Sequence, residues 1–491
     1  MTGRILALSL LRAGDALVHI PALAALARED LDLHVLLQAA GGPAAELLAP
    51  FARVHVLPVN FTGGDWSPLE PTLASLRALQ FDRVVNLTLK RFAAELGERL
   101  APGRVEGFGL PSGQPRLTSP WLRMLNDWGT AASLSVVHYA DIYAQAVGGE
   151  RGAPALRPAE SDEAWWSAAR AEIPAAAPIV LLQLSTSEKK KTYPRERFAA
   201  LAAQLAASVP DAALLVLASP AEMAEAFAFC ERVGGRARPL VCSLAQAACA
   251  LREARLLITG DTALVHLGAL AGARVLLLSS GSSAFRELGP IGAGHIVLHA
   301  NYPCSPCRHD NGCVVRQDGF FPCTEAVPPE FAVHVARALL LGQPLPSAPG
   351  AMVRVYQSQL DARGLVDYAP LGEPSPADRL AALLRAHMLA PLLGELPAPR
   401  TAALSTAQRA ALVSMAQVID ALALRARAGE SAQPQVQAAL QGASEFIVLE
   451  LAQHLATRFR ELRPRGTDPG RIAELQAELA RLRQRIDEQL A

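Results

Sequence analysis

At 491 residues the chain exceeds what one hydrophobic core serves, and its length predicts about three domains. Apolar residues make up 51% of it and charged residues 19%, with a slightly positive mean hydropathy, which excludes a largely disordered protein. The formal net charge is zero, so a nucleic-acid partner has no bulk electrostatic support and none is expected. No apolar run reaches the roughly 18 residues that span a bilayer.

The first apolar run, Ile5–Leu10, is short and stops at Arg12-Ala13-Gly14-Asp15. An export signal needs a longer apolar stretch and a small-residue cleavage site, so this run predicts a buried strand and a cytoplasmic protein. His34–Leu37, Val54–Leu57 and Arg83–Leu87 also read as strands, with helices at Ile20–Ala27 and Ala44–Leu48 between the first pairs. Beyond a stretch rich in Ala, Pro, Arg and Glu around Gly148–Glu160, a second series begins. It runs through strand Ile179–Leu184, helix Arg195–Ser208, strand Ala213–Ala218, helix Ala221–Val233, strand Leu256–Thr259, helix Leu264–Leu270 and strand Arg274–Leu278. Such alternation predicts two α/β halves built on doubly wound parallel sheets.

From Leu345 the texture changes to Ala, Leu, Arg and Gln. Leu345–Tyr356 reads as a linker, and Ala377–Ala390, Thr406–Arg427 and Gln435–Arg460 as helices. After a break at Pro464–Gly470, Ile472, Leu475, Leu479, Leu482 and Ile486 fall alternately three and four apart. That spacing makes either a short coiled coil within 471–490 or a helix packed on the rest of the tail. The expected domains are therefore 1–155, 156–345 and a helical region at 346–491.

Three segments at strand ends carry chemistry, where open parallel sheets bind ligands. Gly14 permits a tight turn, and Asp15 either caps the next helix or projects into a cleft. Gly260-Asp261-Thr262 leads from a strand into a helix, whose free N–H groups and positive dipole end suit a phosphate. Asp261 there either caps the helix or binds a ribose hydroxyl, and His266 shares a helix face with Thr262. Thr186-Ser187-Glu188-Lys189-Lys190-Lys191 follows another strand; outside this run the only lysine is Lys90. Two hydroxyls and a lysine cluster suit a diphosphate, although charge runs are often merely solvated.

These residues resemble a known family. Arg4-Ile5-Leu6, Arg12-Ala13-Gly14-Asp15-Ala16-Leu17 and Pro21-Ala22-Leu23 are similar to the opening strand, loop and helix of glycosyltransferase family nine, the ADP-heptose–lipopolysaccharide heptosyltransferases. Lys191-Thr192-Tyr193-Pro194-Arg195-Glu196-Arg197-Phe198 resembles its lysine–aromatic–proline segment, and Gly260-Asp261-Thr262 with Leu264 and His266-Leu267 its most diagnostic motif. His138-Tyr139-Ala140-Asp141 fits the segment before the interdomain linker, and Pro303-Cys304-Ser305-Pro306-Cys307 with Cys313 and Cys323 a run met in many members. The resemblance covers roughly residues 4–340.

It implies a GT-B fold of two facing Rossmann-like domains, an acceptor-side one followed by one for the nucleotide-sugar donor. Asp15 is the implied general base of an inverting transfer, and Thr186, Ser187 and Lys191 the implied diphosphate ligands; independently of the resemblance, Gly14, Lys189 and Lys190 are expected to support the phosphate loop. Gly260, Asp261, Thr262 and His266 would border the same region, and Glu222 would bind the nucleotide ribose. No catalytic metal is implied. The sugar expected is a heptose from ADP-heptose, moved to lipopolysaccharide or another cell-envelope glycan, with peripheral placement at the inner membrane if the acceptor is lipid-linked. A protein acceptor chosen by the helical tail, and a catalytically weak binding or assembly module, are the alternatives. The chain departs from the family in Ala263 where glycine is usual, in the extra Lys189 and Lys190, and in the tail, which could also drive homo-oligomerisation.

Cys230, Cys242 and Cys249 stand singly in apolar sequence and read as core residues. Cys304, Cys307, Cys313 and Cys323 fall close together, which in a cytosolic protein points to structural zinc or iron ahead of free thiols or disulfides. Their spacing is not that of a standard zinc ribbon.

Overall fold

The structure, a computed structural model, describes residues 3–27, 31–128, 136–149, 156, 158–302, 304–307, 313, 320–393, 413, 416–421, 477, 479–484 and 486–487. One compact unit combines Met1–Arg123, Val137–Ser305 and Gly312–Leu371; a second combines Met124–Val136, Pro306–Asn311 and Gly372–Ala491.

The first unit contains two sheets. Strands β1 (Gly3–Ser9), β2 (Leu31–Leu37), β3 (Arg53–Val56), β4 (Arg83–Asn86) and β5 (Val105–Gly109) run parallel, and the short β6 (Arg116–Leu117) pairs antiparallel. Their order is β3-β2-β1-β4-β5-β6. The helices of this half are α1 (Ala13–Leu26), α2 (Ala45–Leu48), α3 (Glu70–Ala78), α4 (Arg91–Leu100), α5 (Pro120–Trp128) and α6 (Tyr139–Ala146). Ile5 through Ser9 are all buried, as a strand covered by helices on both faces must be. Helix α1 begins at Ala13 rather than near Ile20, because the Asp15 carboxylate accepts the Arg12 N–H at 3.0 Å and closes its first turn. Pro21 lies inside that helix without ending it.

The second sheet holds β7 (Ile179–Gln183), β8 (Ala213–Ala218), β9 (Arg238–Val241), β10 (Leu256–Thr259), β11 (Val275–Ser279) and β12 (Ile296–Ala300), all parallel. Helices α7 (Glu160–Ala171), α8 (Arg195–Ser208), α9 (Met223–Arg232), α10 (Leu244–Glu253), α11 (Ala263–Ala271), α12 (Phe285–Leu288) and α13 (Pro329–Leu341) accompany them. A hairpin of β13 (Val353–Leu360) and β14 (Val366–Pro370) extends the sheet antiparallel at β12, giving β14-β13-β12-β11-β10-β7-β8-β9. The expected linker Leu345–Tyr356 and the boundary at residue 346 are thereby corrected: the α/β unit runs on to Leu371. Val353, Val355 and Tyr356 are buried while Gln357 and Gln359 face out, so the hairpin's short polar alternation was hidden beside the helical sequence that follows.

In the second unit, α14 (Pro376–Leu393) starts where Ser375 and Asp378 cap it: Asp378 Oδ2 accepts from Ser375 N at 2.8 Å and from Ser375 Oγ at 2.7 Å. The helix expected at Thr406–Arg427 is described only at 413 and 416–421, and that at Gln435–Arg460 lies outside the described residues. Of the heptad-like seam, Leu479, Leu482 and Ile486 are buried, and Arg483 Nε pairs with Asp420 Oδ1 at 3.1 Å. Among the described residues no helix is long and apolar enough to cross a membrane.

The two sheets of the first unit are stitched by the segment before the linker. His138 caps α6 by accepting the Ala140 N–H at Nδ1 (3.2 Å), so Nε2 carries the hydrogen that it donates to Gly289 O (3.0 Å). Fully buried Asp141 accepts the Val366 N–H of β14 at 2.7 Å. Asp141→Ala leaves that amide without this acceptor and is expected to cost about 1–3 kcal/mol in urea unfolding, with Asp141→Asn costing less because an amide oxygen still accepts.

Candidate active site

Both parallel sheets follow the strand order in which the chain reverses direction beside its first strand: β1 against β4, and β7 against β10. Such switch points leave a crevice at the carboxyl ends of the strands. Asp15 stands just past β1; the lysine segment follows β7, and Gly260-Asp261-Thr262 follows β10. Helices α1 and α11 bring the two crevices together, since a Cβ built on Gly14 would lie 3.6 Å from Ala263 Cα. That is ordinary contact at a helical residue, so Gly14 is not required for the tight turn expected of it.

On the second sheet the two loops interlock. The lysines form a single 3-10 turn, Lys189–Lys191, stopped before α8 by Pro194. Lys189 is exposed, while Lys191 is buried with Nζ 3.1 Å from Asp261 Oδ2. Asp261 therefore serves the lysine, and the cap of α11 is Thr262, whose Oγ1 accepts from Leu264 N at 3.2 Å. Thr186 Oγ1 donates to Glu188 O at 2.8 Å and lies 2.5 Å from Thr192 Oγ1, holding the turn's base; Ser187 is exposed at its rim. Gly260 is dictated by this closeness, because a Cβ there would meet Thr186 Cγ2 at 2.8 Å and Lys191 O at 3.3 Å.

Charge and burial then separate the groups. Burial raises the Asp15 carboxyl above an ordinary aspartate, opposed by its bond from Arg12 and by the Arg12 and Lys191 charges. A base made stronger by burial and still felt by a lysine of the other half is suited to taking a proton at that spot. His266 is 5% exposed with Nδ1 unpartnered, and burial, with His138 and Lys191 nearby, lowers it to about 3. It is a neutral imidazole, able to offer or accept one hydrogen bond but not to carry charge.

Glu222 stands farther out, at the end of β8. Burial pushes its carboxyl up, but bonds from the Ser219 N–H and hydroxyl and from Ser185, with the Arg195 charge, win and hold it below its usual value. Its Oε2 takes both Ser219 bonds, at 3.0 and 2.7 Å, in a capping box. Ser185 thus links Glu222 to the segment that follows β7.

The sequence reading missed the turn after β11. Ser279, Ser280, Ser282 and Ser283 are all buried there, and Ser282 Oγ donates to Glu188 Oε2 at 3.1 Å. The run Ser279-Ser280-Gly281-Ser282-Ser283 at a strand end was the available signal. Gly281, at φ +57°, lets this turn lie on the lysine backbone: a Cβ would fall 1.9 Å from Lys190 O.

None of the four clustered cysteines is joined in a disulfide. Burial raises Cys304 and Cys323, and the charges of Cys304 and Cys313 act on Cys323. Among the described residues no group of three or more His, Cys, Asp or Glu is arranged to hold a metal. Cys230, Cys242 and Cys249 are buried, as expected of core residues.

Two Rossmann-like halves that meet at their switch points define a GT-B-type architecture. The family model of glycosyltransferase family 9 (heptosyltransferase) matches residues 72–315, and the chain is a glycosyltransferase of that family. A family 9 glycosyl transferase from Veillonella parvula DSM 2008 is 17% identical with a TM-score of 0.55, over 70% of this chain and 98% of that one. The E. coli ADP-heptose lps heptosyltransferase II is 15% identical with a TM-score of 0.49, over 69% and 99% respectively. E. coli heptosyltransferase WaaC with ADP-2-deoxy-2-fluoro heptose is 21% identical with a TM-score of 0.39, over 56% and 88%. No curated protein matches the chain.

The interlocked loops give an ordered series of substitutions. Gly281→Ala meets backbone at a positive φ and is expected to destabilise most, Gly260→Ala by about 1–3 kcal/mol, and Gly14→Ala least. Denaturant midpoints of the three variants check the order.

Proposed function

We propose that the protein transfers a heptose from ADP-heptose, with inversion, to lipopolysaccharide or another cell-envelope glycan. The observation that carries this reading is the convergence of Asp15 and Lys191 from the switch points of two sheets, near enough for the Lys191 charge to act on the Asp15 carboxyl. The family's own description supports the sugar. The nucleotide and the acceptor rest on the likeness of the Asp15, Lys191 and Gly260–His266 segments to the family's motifs.

In this mechanism Asp15 takes the proton of an acceptor hydroxyl while that oxygen attacks the anomeric carbon. The bond from that carbon to the donor diphosphate breaks, and the electron pair leaves with the nucleoside diphosphate. Lys191, Thr186 and Ser187 meet the charge that develops on the leaving oxygens, together with the amino end of α11 beyond Thr262. Asp261 keeps Lys191 aimed; neutral His266 adds a hydrogen bond without competing for the proton. Glu222, at the outer edge, is assigned to the ribose hydroxyls, with its cap on Ser219 fixing its direction.

Asp15→Asn is expected to lower turnover by about 100-fold or more while ADP affinity stays within about twofold. Transfer assays and calorimetry with ADP-heptose, ADP and uridine donors check this. Unchanged turnover would remove Asp15 from the chemistry, and preference for a uridine donor would overturn the ADP-heptose assignment.

A further inference from the structure

A site for an anion contains, at its centre, an acid. Glu188 opens the lysine run, and its carboxylate Oε2 accepts from Ser282 Oγ at 3.1 Å and faces Lys190 Nζ at 3.5 Å. Its main chain is fixed as well: Glu188 O accepts from Thr186 Oγ1 at 2.8 Å, Thr192 Oγ1 at 2.9 Å and the Lys191 N–H at 3.1 Å. Lys190 is only 12% exposed in its side chain, and Ser282 is 2% exposed, so the three groups meet in a confined place between the ends of β7 and β11. With Lys191 paired to Asp261, two of the three lysines of the run each face a carboxylate, and the loop presents far less positive charge than its sequence implies.

We propose that Glu188 is a resident anion of the donor site. Its carboxylate holds Lys190 and the Ser282 hydroxyl in the places that oxygens of a bound diphosphate take over, so an entering diphosphate competes with it. Two consequences follow physically. The loop is ordered before ligand arrives, because its lysine is never left as an uncompensated charge in a confined site. The hold on the nucleoside diphosphate left after transfer is weakened, because the carboxylate competes for the same donors, and this favours product release. The inference rests on the donor assignment of the lysine loop made above.

The test is calorimetric titration of the full chain with ADP, UDP and inorganic pyrophosphate, for wild type, Glu188→Gln, Lys190→Met and the double variant, with melting temperatures to confirm folding. Glu188→Gln is expected to tighten pyrophosphate and ADP by about fivefold at low salt. The gain should shrink as salt is raised and vanish in the Lys190→Met background. Binding unchanged or weakened in Glu188→Gln, or a gain that persists without Lys190, would overturn the role of Glu188 alone. A pyrophosphate gain with neither nucleotide bound by any variant would overturn the nucleotide-donor reading and leave the resident anion standing. Failure of every protein to bind pyrophosphate or nucleotide would overturn both.

Discussion

The pair between Lys191 and Asp261 is the contact on which the rest of the cleft depends. It joins the loop after β7 to the loop after β10, across the switch point of the second sheet, at 3.1 Å and with both side chains largely removed from water. Removing either partner would leave the other an uncompensated charge with little access to water. Each fixes the other. Around the pair the backbone closes to the point where Gly260 has no room for a Cβ, and the turn at Gly281 closes over Lys190 from the other side. The cation that the proposed reaction needs is therefore held by packing and charge together, before any ligand is present.

The opposing half is arranged around the contrary problem. Among the described residues no buried cation is bonded to Asp15; burial works against its charge, and the Arg12 N–H, the Arg12 charge and the more distant lysine only offset this. One carboxylate in the cleft, Asp261, is thus committed to a structural ion pair, while another, Asp15, is left basic. The difference arises from which loop each follows and not from residue type. His138 and Asp141 lock the halves of this unit through Gly289 and Val366, so the separation of these groups is set by buried hydrogen bonds far from them in sequence.

Much of this could be read from the chain. Parallel strands buried on both faces leave continuous apolar runs, and β8 and β10 fall where Ala213–Ala218 and Leu256–Thr259 predict them. The strand-end positions of Asp15, Lys191 and Asp261 were legible from the apolar runs that precede them. Their partners were not. Asp261 reads as either a cap or a ribose ligand, and only the three-dimensional structure shows it paired with Lys191 while Thr262 caps the helix. The serine turn after β11 carries no charge or motif, and its relevance comes from contact with Glu188, nearly a hundred positions earlier in the chain. The β13–β14 hairpin was lost because a half-buried edge strand alternates with polar residues and borders helical sequence.

The central claim is that Asp15 and Lys191 belong to one reacting site across the cleft. The direct measurement is the acid limb of the kcat/KM pH profile, in wild type and in the residual activity of Lys191→Met. The lysine charge lowers the Asp15 pKa, so removing it raises that pKa further, and the base form is lost at a higher pH on acidification. The account predicts an acid limb displaced upward in Lys191→Met, beyond a wild-type limb already above that of an ordinary aspartate. A limb that stays where the wild type has it would contradict the coupling and separate the two residues into different sites.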